Sequence, residues 1–312
     1  MSPAAVLSLP LPLSMPLISH LERLGGFASW TQLVSLTSRR ELDDALAQEQ
    51  IVKLHRGRYA LTTARQAQQA AHRVTGVVVG RSAAAHWGWS MKWQPERPEI
   101  AVPRGRKVPD DVQKDLDVRW RHLGPADVVD GWVTSPVQTV LDCMRSLPAD
   151  EGLAIADSAL RSGRVSRLQL RAAAATSPGR GHARAVRIAA GADKRAANPF
   201  ESVLQSIALD VTPVGGLTLV PQVRIDSSRT GRFIGRVDLA DRALMIVAEA
   251  DSFEFHGERE QMERDCVRYD ELAVDGWLVL RFTWVQVMTR QAWVKEMLEA
   301  AMERRRRESV AA

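Results

Sequence analysis

The chain has 312 residues, with 42 Lys and Arg against 37 Asp and Glu and a net charge of +5. This length predicts two or three domains, each with a sizeable hydrophobic core. Its two cysteines, Cys143 and Cys266, have no paired spacing, which argues against a disulfide framework or a zinc site and fits a reducing cytoplasm. No apolar run reaches about 18 residues, so we expect no membrane span.

The charge is unevenly distributed along the chain. Lys and Arg outnumber Asp and Glu by nine over residues 1–197, whereas the acids outnumber the bases by six over residues 198–300. A polyanion such as DNA would therefore bind mainly to the first two thirds of the chain. A modest positive excess also serves solubility in many proteins, and both explanations stay open.

Residues 15–62 have the element order of a winged helix-turn-helix. Three short segments with helical apolar spacing are followed by two strands, 51–54 and 59–61, on either side of a basic tip. In this fold the third helix enters the major groove and the wing contacts phosphates. The acids on the third helix leave its start and the wing as the basic parts, and a protein-docking role is the alternative. The expected DNA-binding residues are Arg39, Arg40, His55, Arg56 and Arg58.

Residues 70–172 predict a middle unit of mixed α/β structure. Short apolar runs indicate strands, and longer runs with helical periodicity indicate two helices towards its end. The following stretch, 173–197, is rich in Ala, Gly and Arg and is predicted to be a basic linker or helix. A solvated linker and a DNA contact fit its charge equally well. The strands are expected at 77–79 and 99–102, and the helices at 134–147 and 150–161.

Residues 198–302 give the clearest pattern. Asn198 is a favourable N-cap and Pro199 a favourable first helical residue. The apolar periodicity that follows predicts the order α-β-β-β-α-β-α around a mixed sheet. The expected fold class is therefore α+β and multidomain.

Three acids lie at the ends of two neighbouring predicted strands. Asp238 lies on one face of an alternating strand, and Glu249 and Asp251 follow an unbroken apolar run. If the strands pair as a hairpin, Asp238 lies near Glu249, and carboxylates about 4 Å apart repel by roughly 1 to 4 kcal/mol. Such a cluster favours a divalent cation. The alternatives are solvated strand-end acids or ion pairs with Arg236 and Arg264.

The segments NPFES, RVDLAD, AEADSFEFHG and GWLVLRFT, with the helix that carries Asp265 and Arg268, resemble the PD-(D/E)xK restriction-endonuclease-like superfamily and its Vsr-like branch. The resemblance covers about residues 198–300. It implies a Vsr-like nuclease domain over residues 198–302 that hydrolyses DNA phosphodiester bonds. Asp251 stands where the superfamily has a lysine, which leaves the water-activating group unassigned.

The resemblance also implies roles for individual residues. Mg²⁺ or Mn²⁺ would be held by Asp238, Glu249 and the Ala250 carbonyl, and would polarise the phosphoryl group and lower the pKa of a bound water. His256 would shuttle a proton and Arg268 would clamp the phosphate. The implied catalytic residues are Asp238, Glu249, Asp251, His256, Glu201 and Arg268.

Residues 16–172 look like the winged-helix and following domain of type IV, AbiEi-like abortive-infection antitoxins. That resemblance implies DNA binding and a partner toxin. Two hypotheses follow. The chain is either a DNA endonuclease whose first two units deliver the substrate, or a DNA-binding regulator whose nuclease-like domain is inactive.

Overall fold

The computed structural model describes residues 17–18, 21, 27–55, 58–211, 217–251 and 259–311. Within these residues the chain forms three sheets flanked by helices, and two of the sheets are mixed, which confirms the predicted α+β class. None of the described helices combines the length and apolar character that crossing a bilayer requires.

In the described part of the N-terminal unit, two helices are followed by a hairpin where the sequence predicts them, and most of the first predicted helix, around Leu17 to Leu24, lies outside the described residues. Its sheet has the order β1-β3-β2, with antiparallel pairings. Leu33, Leu42 and Ile51 are almost fully buried and form its core. Helix α2 begins with a capping box, in which Ser38 Oγ accepts the Glu41 N–H at 3.2 Å and the Glu41 carboxylate accepts the Ser38 N–H at 2.9 Å. The elements are β1 (Phe27–Ser29), α1 (Trp30–Leu36), α2 (Arg39–Ala47), β2 (Ile51–His55) and β3 (Arg58–Leu61).

The second unit packs helices against a mixed sheet of order β6-β5-β4-β8-β7. Strands β5 and β6 pair in parallel, as do β4 and β8, whereas β4 pairs with β5 and β7 with β8 in antiparallel fashion. The elements are α3 (Thr63–Val74), β4 (Val77–Val78), α4 (Gly80–His86), β5 (Glu99–Val102), α5 (Asp110–Gln113), β6 (Asp117–Trp120), β7 (Val128–Val129), β8 (Val133–Thr134), α6 (Pro136–Ser146), α7 (Ala149–Arg161), α8 (Arg167–Ala175) and α9 (His182–Gly191).

Residues 173–197 do not form a solvated linker. The end of α8 and the whole of α9 lie in this stretch, and Ala174 and Ile188 are 1% and 3% exposed within the core of the second unit. Helices α7 and α9 approach closely at Gly152, which has no side chain. A Cβ added to Gly152 would lie 2.9 Å from Ile188 Cδ1, a distance at which one of the two must move. The buried alanines of this stretch are therefore packing residues.

The C-terminal unit follows the predicted element order. Its sheet has the order β12-β11-β10-β9, in which β11 and β12 are parallel and the other pairings antiparallel. The elements are α10 (Pro199–Asp210), β9 (Val220–Asp226), β10 (Phe233–Asp241), β11 (Ile246–Asp251), α11 (Arg259–Val274), β12 (Leu278–Thr283), α12 (Trp284–Thr289) and α13 (Gln291–Ala311).

Helix α10 is buried on both sides and joins the second unit to the C-terminal unit. Its apolar residues share a core with the C-terminal sheet. On the other side, α10 packs against α7, and Gln205 Nε2 donates to the Gly191 carbonyl at 3.0 Å. This helix fixes the position of its first acid, Glu201, at the edge of the C-terminal sheet.

Candidate functional site

Asp238 and Glu249 face each other across two antiparallel strands. Leu239 of β10 pairs with Ala248 of β11, which sets Asp238 opposite Glu249 at the next position. The carboxyl groups lie within hydrogen-bonding reach of each other, and the Ala250 N–H donates to Asp238 Oδ2 at 2.9 Å. The proximity predicted from the hairpin is therefore present in the structure.

The pair is buried, and this changes its protonation. Burial, followed by repulsion from Asp238, raises the pKa of Glu249 to about 8. Burial also raises the pKa of Asp238, although the Ala250 N–H opposes that shift. Burial and the proximity of the two carboxyl groups therefore both favour the protonated form of the pair.

A third acid, Glu201, reaches the pair through an amide. One Glu201 oxygen accepts the Ala197 N–H at 2.9 Å, and the Asn198 side-chain amide donates to the other at 2.9 Å. Gln222 Nε2 donates both to Glu201 at 3.0 Å and to Asp238 at 3.2 Å. Burial, followed by repulsion from Asp238, raises the pKa of Glu201 to about 7.

Gln222 belongs to the cluster and was missed by the sequence reasoning. Its φ is +53°, a left-handed conformation that costs a non-glycine residue energy and that clusters at functional sites. The residues on either side, Pro221 and Val223, pair with Leu239 and Val237, so Gln222 lies opposite Asp238. Nothing in a Pro-Gln-Val sequence signals a left-handed residue inside a strand.

Arg268 of α11 supplies the positive charge of the site. Its Nη1 lies 3.3 Å from Glu249 Oε1 and donates to the Arg236 carbonyl at 3.3 Å, and its Nη2 donates to Tyr269 Oη at 2.8 Å. Gly235 leaves room for the arginine, because a Cβ there would lie 2.8 Å from Arg268 Cδ. The resemblance placed Arg268 in the site, and the structure adds Glu249 as its partner.

Asp251 and His256 are not seen to join this cluster. Asp251 forms an ion pair with Arg281 of the neighbouring parallel strand, and the Arg281 guanidinium lies over the Tyr269 ring at 4.2 Å. Arg268 pairs with Glu249 rather than with Asp251. His256 lies outside the described residues.

The donor set does not fit a resident divalent ion as it stands. Both Asp238 oxygens already accept hydrogen bonds, from the Ala250 N–H and the Gln222 amide, and Arg268 lies against Glu249. No group of three or more His, Cys, Asp or Glu side chains among the described residues could hold a metal ion. Mg²⁺ or Mn²⁺ at Asp238, Glu249 and Ala250 therefore stays a prediction.

The predicted DNA-binding residues fall into two groups. Arg39 and Arg40 are exposed in the first turn of α2, and Arg40 lies 4.0 Å from Asp44 one turn later. His55 ends β2 and Arg58 begins β3. Arg56, between them, lies outside the described residues.

Comparison with known proteins bears on the second unit. Residues 76–188 match the family described as AbiEi antitoxin C-terminal domain, which supports the predicted AbiEi-like resemblance. The match ends before α10, so the carboxyl cluster lies outside it. The resemblance to a Vsr-like nuclease stays a prediction.

Two curated proteins of Mycobacterium tuberculosis are similar to the chain. They are the uncharacterized proteins MT2308 of strain CDC 1551 / Oshkosh and Rv2248 of strain ATCC 25618 / H37Rv, each 32% identical over 148 residues, or 47% of this chain. The chain spans about half, 53%, of the length of these relatives. The crystal structure of RV2827C protein from the same organism is 16% identical, with a TM-score of 0.31 over 70% of this chain and 89% of that chain. A likeness of that size carries no argument about fold.

Proposed function

We propose that the chain is a DNA-binding regulator of the toxin–antitoxin kind. The observation that carries the proposal is the match of residues 76–188 to an antitoxin domain. A partner toxin is part of the proposal, because antitoxins act on a cognate toxin. Of the two hypotheses raised by the sequence, this one has the support of the comparisons.

The N-terminal unit is the proposed DNA-binding element. Helix α2 presents Arg39 and Arg40 at its N-terminal end, where a recognition helix contacts base edges and phosphates. The side chain of Arg40 is 91% exposed, so its charge is available to a phosphate. The Glu41 carboxylate lies at the same helix end, where it accepts the Ser38 N–H in the capping box.

Fluorescence anisotropy with a labelled duplex from upstream of the protein's own reading frame tests DNA binding. We expect Arg39→Ala/Arg40→Ala to weaken binding by about tenfold or more, because each lost base or phosphate contact costs roughly 1 to 3 kcal/mol. The matched control is Arg229→Ala/Arg232→Ala, which removes the same charge from an exposed turn of the acidic C-terminal unit.

Equal affinity of the two double variants would mean that α2 does not contact DNA. An unrelated duplex of the same length separates sequence-specific from general polyanion binding. Co-purification with the product of a neighbouring reading frame that encodes a nucleotidyltransferase-like toxin tests the proposed partner, and the absence of a complex with such a product would contradict it.

DNA hydrolysis in the C-terminal unit is a second candidate. The observation that favours it is the meeting of Asp238 and Glu249 across β10 and β11, with strained Gln222 beside them. Incubation of plasmid DNA with the wild type and Asp238→Ala in Mg²⁺ or Mn²⁺ tests it. Nicking by the wild type that is lost in the variant supports this candidate, whereas equal products from both come from a contaminant.

A further inference from the structure

The guanidinium of Arg268 lies where a hard cation would neutralise the carboxyl pair. Its Nη1 is 3.3 Å from Glu249 Oε1, and the Glu249 side chain is only 7% exposed. Among the described residues, neither Glu249 Oε1 nor Arg268 Nε has a hydrogen-bond partner. The contact is therefore an ion pair with poor hydrogen-bond geometry, and it leaves a buried carboxyl oxygen able to accept another ligand.

The neighbouring strand leaves a path for the arginine stem. A Cβ added to Gly235 would lie 2.8 Å from Arg268 Cδ and 3.3 Å from its Cγ. Any side chain at this position forces the arginine to move. The placement of Arg268 over the pair therefore depends on a residue without a side chain in β10, in addition to charge attraction.

We propose that Arg268 is the resident counter-charge of the Asp238–Glu249 pair and that Mg²⁺ or Mn²⁺ binds there only when the guanidinium withdraws. The arginine and a divalent ion exclude each other, because two positive charges in adjacent positions repel. The proposal does not depend on DNA binding by the N-terminal unit.

Titration of the full chain with Mn²⁺ alone, followed by the electron paramagnetic resonance of free Mn²⁺, measures binding directly. We expect Arg268→Gln to bind Mn²⁺ tighter than the wild type by about tenfold or more, because the repulsion between the guanidinium and the ion is removed. Arg268→Lys, which keeps the charge, should resemble the wild type. Asp238→Asn/Arg268→Gln should lose the gain.

Gly235→Ala is a second way to move Arg268 away from the carboxyl pair, and it leaves the charge unchanged. It displaces the stem of Arg268, so it should also raise the affinity for Mn²⁺, and it keeps the proposal testable if Arg268→Gln does not fold. An Mn²⁺-dependent rise in melting temperature should accompany binding in both variants. The proposal would be overturned if the wild type bound Mn²⁺ through Asp238 as tightly as these variants do. It would also be overturned if neither variant bound Mn²⁺ more tightly than the wild type.

Discussion

Asp157 of α7 is a fully buried acid where three elements meet. Its Oδ1 accepts the Asp193 N–H at 2.7 Å, Ser202 of α10 lies nearby, and Arg161 lies one turn further along its own helix. Burial raises its pKa to about 7, against 3.8 for an ordinary aspartate, even though those neighbours favour the charged form. Asp193 contributes a second negative charge nearby, which also raises that pKa.

The protonation of Asp157 should make stability depend on pH. Between about pH 4 and 7 the native carboxyl holds a proton that the unfolded chain has released, so its contribution to the unfolding free energy falls as pH rises through this window. Asp157→Asn keeps a neutral acceptor for the Asp193 N–H. We therefore expect the stability of the variant relative to wild type to increase by on the order of 2 kcal/mol from pH 5 to pH 8.

Urea unfolding at both pH values checks this prediction. Asp111→Asn, at an exposed aspartate of α5, is the matched control and should show no such change with pH. A constant difference between Asp157→Asn and wild type across the range would mean that Asp157 is ionised in the native state throughout.

Among contacts between individual residues, the sequence predicts those that follow from the register of a local hairpin. It does not predict those that depend on tertiary structure. A hairpin between two recognisable strands forces Asp238 towards Glu249. The partner of Asp251 is Arg281, on a strand that pairs only after the intervening helix α11 has crossed the sheet. The left-handed conformation of Gln222 depends on its tertiary surroundings, which no local pattern encodes.

Helix α10 was predicted accurately because its start carries strong local signals. Asn198 Oδ1 accepts the Glu201 N–H at 3.0 Å, and Pro199 occupies the first turn. The same asparagine donates its side-chain amide to the Glu201 carboxylate. One residue therefore both begins the helix and orients the acid that reaches the carboxyl pair.

Asn198→Ala should destabilise the chain by roughly 1 to 2 kcal/mol, since a lost N-cap costs about that much. Asn198→Ser keeps an acceptor for the Glu201 N–H and should recover most of the loss. Denaturant unfolding of the three proteins measures the difference. If serine and alanine destabilise equally, the amide contact to the Glu201 carboxylate, rather than the cap, provides the stability.

The stretch 173–197 is a case in which composition left a linker and a helix both open. Its alanines and glycines are weakly hydrophobic, so the pattern lacked a strong apolar stripe. In the structure Gly152 of α7 allows Ile188 of α9 to pack closely against it. Close packing of small residues depends on the partner surface, which local periodicity does not reveal.

The second and C-terminal units are expected to unfold together. Helix α10 packs on both, and Asp150 at the start of α7 binds Lys92 and accepts a hydrogen bond from Gln291 Nε2 of α13 at 2.9 Å. Leu204, a fully buried residue of α10, belongs to the core of the C-terminal sheet. Truncation of Leu204 should therefore also destabilise α7, which packs against the opposite face of α10.

We expect Leu204→Ala to lower the free energy of opening of amides in α7 and in β11 by the same amount, roughly 2 to 5 kcal/mol. Native-state hydrogen exchange measures both in one experiment. Leu168→Ala, at a position that is 80% exposed, is the control and should leave both unchanged. Loss of protection in β11 without a change in α7 would show that the units open independently.

The double-sided burial of α10 has a practical consequence for dissecting the chain. A fragment designed to stop where the antitoxin-domain match stops, at residue 188, would break α9 before its end at Gly191 and would strip α7 of its cover. Recombinant pieces cut there would expose apolar surface to solvent and tend to aggregate. The matched span is thus shorter than the set of helices that pack together in the structure.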